Sequence, residues 1–174
     1  MSLTSTIFEV IDMRSFSNLW FWIALAVAWS SASHYVIGIP FDMLQRARKH
    51  GGQALVDFED CVRINVNRIL LIATQAGHWL LGFVAFVLTG LAVLGFWYEV
   101  EFAQAVFLLA LPMSIVGALS IATARKIYEE EPTGEALYRR LIRHRLMTQT
   151  IGMISIFVTA VYGMYQNLVV VPGF

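Results

Sequence analysis

One cysteine, Cys61, stands in a chain of 174 residues. A lone thiol closes no disulfide within the chain and builds no metal cluster by itself. It reads as a small buried residue under a helix. No acid interrupts the long apolar runs, which argues against a proton pump or an ion-coupled carrier, because those place a carboxylate inside the membrane. A Gly-rich phosphate loop, a His-Glu-x-x-His pair and a Gly-x-Ser-x-Gly elbow are all missing, so no catalytic signature stands out. Net charge is zero, and no global positive field points to nucleic acid. Charge as a whole is scarce, at 14% against about 25% in soluble domains.

What replaces it is apolar surface, 58% of the chain, with a mean hydropathy of +0.67. Four stretches carry no charge: Leu19 to Phe41, Ile69 to Tyr98, Phe102 to Ala124 and Leu146 to Phe174. Each exceeds the roughly 20 residues a helix needs to cross a bilayer. Unpaired backbone in lipid is costly, so helices are expected, and the runs lack the alternation of barrel strands. The expected fold is a single-domain, all-α integral membrane protein. It is a four-helix transmembrane bundle with spans at about 19–41, 69–97, 102–124 and 147–171. Glu9 and Asp12 outweigh Arg14 before the first run, unlike a signal peptide.

Eleven of the twelve basic residues fall between spans 1 and 2 or between spans 3 and 4. The positive-inside rule puts those loops in the cytoplasm and both termini outside, which for a bacterial inner membrane means periplasmic. Trp20, Trp22, Trp97 and Tyr98 mark the outer interface. Leu55, Phe58, Val62 and Val66 recur at helical spacing, as do Leu137, Leu141 and His144. Spans 2 and 4 are therefore expected to extend as helices into the cytoplasm. Gly51–Gly52 would break the chain before the first extension, and Pro132–Gly134, with Thr133 as N-cap, before the second. Residues 4–18 suggest a short interfacial helix.

Two histidines, His34 and His78, lie inside apolar runs. Ser30 and Gly38 flank His34 at four residues, and Thr74 and Gly82 flank His78. Four residues apart is one helix face. A macrocycle, haem or chlorin, needs an axial imidazole with such clearance. The same spacing serves close helix packing, in which Ser30, Thr74, Gln75, Thr123 and Gln149 would satisfy both rings. Packing is the favoured reading, and a cofactor the alternative. Ser155, Thr159 and Gly163 form a small-residue row suited to a partner helix. Pro112 should kink span 3 and free the carbonyl of Leu108. Arg139, Arg140, Arg143 and Arg145 would attract anionic lipid at the cytoplasmic surface.

The segment "FEVIDMRSFSNLWFWIALAVAWSSASHYVIGIPFDM" (8–43) resembles the N-terminal part of small four-span inner-membrane proteins of alphaproteobacteria. Some of these carry the description of a component of the SufBCD iron–sulfur assembly complex. The resemblance implies a bacterial inner-membrane protein and carries no catalytic residues across. The residues together suggest a non-enzymatic accessory subunit or assembly factor, with the lipid bilayer and other integral membrane subunits as partners. The alternative is a tetrapyrrole-binding or electron-transfer protein using His34 and His78. A small carrier kinked at Pro112 is a third class.

Overall fold

A computed structural model describes residues 15–170. A single 3-10 turn, Ser15–Ser17, leads into α1, Leu19–His34. A two-stranded hairpin follows, β1 Tyr35–Val36 with β2 Ile39–Pro40, then α2, Phe41–His50. Three long helices complete the chain: α3, Gly52–Ala92, continued by a π-helical segment Val93–Trp97; α4, Glu101–Glu130; and α5, Gly134–Val170. These last three are long and apolar enough to cross a membrane. The helix expected over 4–18 lies mostly outside the described residues, and its described end is the 3-10 turn.

The first apolar run is not one helix. Asn18 caps α1 by accepting from the Trp20 amide at 3.0 Å, but the helix stops at His34. Ile37 and Gly38 both take positive φ, 52° and 76°, the geometry of a tight type I′ hairpin turn. A β-branched residue there is strained. Burial holds it, since Ile37 is 4% exposed and belongs to an apolar core. Pro40 has no N–H and stands immediately before α2, where none is needed.

That core sits at one end of the molecule. Val36, Ile37, Ile39, Leu44, Ala47, Phe58, Val62, Val66, Ala124, Ile127, Leu137 and Leu141 close on one another. The hairpin, α2, the start of α3, the end of α4 and the start of α5 thus form a head packed as in water-soluble proteins. Both predicted periodic faces supply it. Gly51 and Gly52, with φ of 57° and 53°, make the corner between α2 and α3. Glu131 in the left-handed region ends α4. The first N–H of α5 is capped across the head: Gly134 N donates to Glu59 Oε1 at 2.8 Å. A carboxylate at a helix N-terminus is favourable, and it takes the place expected of the Thr133 side chain.

Beyond the head the helices do not close into a bundle. α1 packs on α5, α5 on α4, and α4 on α3, with no comparable contact joining α1 to α3 or α3 to α5 among the described residues. The arrangement is an open row with α1 and α3 at its ends. Large apolar side chains cover its outside, Trp79 at 85% and Phe86 at 77% exposure among them. Apolar outside and small or polar inside is the pattern expected where lipid is the solvent.

α5 changes character along one buried face. Leu137, Leu141, His144, Thr148, Gly152, Ser155, Thr159 and Gly163 are all buried, each three or four residues from the next. The stripe is apolar within the head. From His144 onward it becomes polar or small, which lets neighbouring backbones approach closely.

Candidate functional site

The two histidines of the apolar runs are not brought together. His34 is the last residue of α1 and His78 lies in α3, at opposite ends of the row. Both side chains are exposed. His34 meets the Tyr35 ring edge-to-face at 5.0 Å between centroids. Gly38 is not on its helix face at all; it sits in the hairpin turn, where a Cβ would come within 3.1 Å of Asn65 Oδ1. The expected clearance around His34 therefore does not form. Around His78 it does: Thr74 folds its hydroxyl onto its own helix, at 2.8 Å from Leu70 O, and a Cβ at Gly82 would meet nothing within 4 Å.

The expected polar cluster forms instead around His144, which is 4% exposed. Thr123 Oγ1 lies 3.1 Å from Nδ1 and Ser120 Oγ 3.5 Å from Nε2. Ser120 already spends its proton on Val116 O at 2.9 Å. The shorter contact, between Thr123 Oγ1 and Nδ1, is the ring's main hydrogen bond. Thr123 is the one member of the predicted set that reaches a ring, and the ring belongs to a histidine read from sequence only as part of a helix face.

The row Ser155, Thr159, Gly163 does not face outward. Ser155 is 6% and Thr159 0% exposed. Gly163 lies under the 3-10 turn, where a Cβ would touch Phe16 Cδ1 at 3.0 Å. Gly152, one step earlier in the stripe, admits Trp29 of α1, whose ring would stand 2.7 Å from a Cβ. The spacing that suits a partner helix is used here for the chain's own neighbours. Ser155 also donates, at a long 3.5 Å, to Leu108 O, the carbonyl that Pro112 leaves without its helical partner.

The four arginines divide. Arg140 pairs with Glu130 at 2.6 Å. Arg145 lies over the Phe41 ring, 3.5 Å from its centroid, and donates to Ser33 O, one of the last carbonyls of α1. Arg139 approaches Glu135 at 3.7 Å. Arg139 and Arg143 remain exposed on one face of α5, so the surface open to anionic headgroups is narrower than the sequence suggests. Cys61 is half-buried, with Asn65 Nδ2 at 3.5 Å from its sulfur.

At the far end from the head, polar groups tie the row together. Gln104 donates to Gly95 O and accepts from Gln166, both at 2.7 Å. Phe16 N donates to Glu101 Oε1 at 2.7 Å, and Ser17 to Asn167 at 2.7 Å. Gly95 is needed in the π-helical segment because a Cβ would stand 2.9 Å from Gln104 N. With Arg145 at the other end, α1 is anchored to α5 at both its ends.

The outer face of α3 has no intrachain role among the described contacts. Gln75, His78, Gly82, Ala85 and Thr89 recur at three and four residues and are all exposed. They point away from the half-buried positions Leu70, Ala73, Gly77, Val84, Leu88 and Leu91, which mark the side turned to α4. Among the described residues, no three groups of His, Cys, Asp or Glu stand together as metal ligands. A cleft of about 550 Å³ opens in the head between α3, α4 and the start of α5, lined by Glu59, Arg63, Asn67, Tyr128 and Glu131 above an apolar floor. Comparison with protein-family models, curated proteins and solved structures finds no match.

Proposed function

We propose that this chain is a non-enzymatic accessory subunit or assembly factor of a larger bacterial inner-membrane complex. One observation carries the reading. α3 is the open end of the row, and in mid-span it turns an amide and an imidazole, Gln75 and His78, away from every other helix of the chain. Polar side chains in hydrocarbon are expensive and face protein or a water-filled cavity. A neighbouring membrane subunit supplies what this chain does not.

Four crossings, with both termini periplasmic, belong to the same proposal. α1 has 16 residues, about 24 Å at 1.5 Å per residue, short of a typical 30 Å core. Its contacts with α5 at Phe16–Gly163 and Ser33–Arg145 support a crossing of the slab that α5 crosses. The tetrapyrrole alternative keeps His78 with its clear flanks but loses the shared site with His34.

A photo-crosslinking side chain at Gln75 or Thr89, activated in native membranes, tests the reading. The expected product is a protein adduct at both positions and none from Trp79 on the neighbouring, lipid-facing side. Lipid adducts alone at all three positions would overturn it.

A further inference from the structure

We propose that the occupant of the outer α3 face is a second copy of this chain, packed as a parallel α3–α3 pair about a two-fold axis. The inference rests on the reading above, that protein rather than lipid covers α3, and names the protein.

The argument is one of complementarity. Copies of one chain insert in one orientation, so two α3 helices meet parallel, with equal residues at equal height. The face then has to complement itself, and this one does. A glutamine amide carries donors and an acceptor, and so does a neutral imidazole. Gln75 and His78 of one copy therefore find partners in the same residues of the other. By contrast, Gln104, Gln166 and His144 in α4 and α5 are paired within the chain.

Shape agrees with polarity. Gly82 and Ala85 follow His78 on the same face, and a Cβ at Gly82 would meet nothing within 4 Å, so a second backbone has room to approach. The alternating three–four spacing from Gln75 to Thr89 is the seam of a left-handed helix pair. The large side chains Trp79 and Phe83 lie to one side of this seam rather than on it, and are exposed in the single chain.

Disulfide scanning in native membranes tests the pair. In a Cys61→Ala background, Gly82→Cys, Ala85→Cys and Phe83→Cys are expressed singly and oxidised with copper phenanthroline. The expected result is a product of twice the 19.6 kDa chain at 82 and 85 and none at 83. His78→Leu, purified in mild detergent, should weaken the dimerisation constant about threefold or more, given the modest worth of buried hydrogen bonds between membrane helices. Equal dimer yield at all three positions, or none at 82 and 85, overturns the pair. Adducts of another mass at 82 and 85 overturn it while leaving the accessory-subunit reading intact. A visible absorbance band that is lost with His78→Leu, together with no cross-linked dimer at 82 or 85, puts a macrocycle on this face and overturns it too.

Discussion

Replacing Gly152 by alanine adds one methyl group to the tightest helix contact of the row. That methyl would stand 2.7 Å from Trp29 Cε3 and 3.2 Å from two further ring atoms. Ordinary carbon contacts begin near 3.5 Å, so α1 and α5 must part or the indole must turn. The indole is 4% exposed and has little room to turn. Overpacking of this kind costs about 1–3 kcal/mol. Alanine also gains helix propensity over glycine, about 1 kcal/mol in water, so the clash has to be read against a glycine in open space. Gly117 is that control, in α4 with nothing within 4 Å of a Cβ. For a chain of this size 1 kcal/mol moves the melting temperature by roughly 2–4 °C. Gly152→Ala should thus melt about 2–12 °C below Gly117→Ala in mild detergent, with Gly163→Ala between them. Trp29→Phe removes the ring atoms concerned and should recover much of the loss in the double variant, because the two sites touch. If Gly152→Ala and Gly117→Ala melt together, or if Trp29→Phe brings no relief, the close approach of α1 to α5 is refuted.

Two further outcomes follow from the polar contacts. His144→Leu strands the Thr123 hydroxyl and should cost about 1–3 kcal/mol, while His144→Gln should cost less; thermal unfolding in detergent separates them. Pro112→Ala returns an N–H to Leu108 O, so Ser155→Ala, expected to cost about 0.6 kcal/mol in the parent, should be silent in that background. A double-mutant cycle on unfolding free energy measures the difference.

The sequence states the helices more clearly than their neighbours. Apolar runs without charge and the faces Phe58–Val62–Val66 and Leu137–Leu141–His144 are periodic signals, and all of these faces are buried where expected. The hairpin was legible too, in "VIGIPF", where glycine and proline two residues apart are turn residues, but hydropathy does not see them and carried the run to Phe41. Partner choice is a different matter. Small residues at Gly152, Ser155, Thr159 and Gly163 say that a backbone comes close, not whose it is. Exposed His34 and His78 and buried His144 differ in what lies across from them, a fact of tertiary arrangement. Leu108 and Ser155, 47 positions apart, illustrate the same point: the free carbonyl follows from Pro112, its donor does not.

The head is built from pieces that only meet across the whole chain. Val36 and Ile39 follow α1, Phe58 and Val62 precede the apolar stretch of α3, Ala124 and Ile127 end α4, and Leu137 and Leu141 open α5. No two consecutive segments close it alone. Its burial is therefore complete only once α3, α4 and α5 stand side by side. A chain with one of these helices out of place would leave this apolar core open. Closure of the head therefore depends on the placement of all three long helices at once.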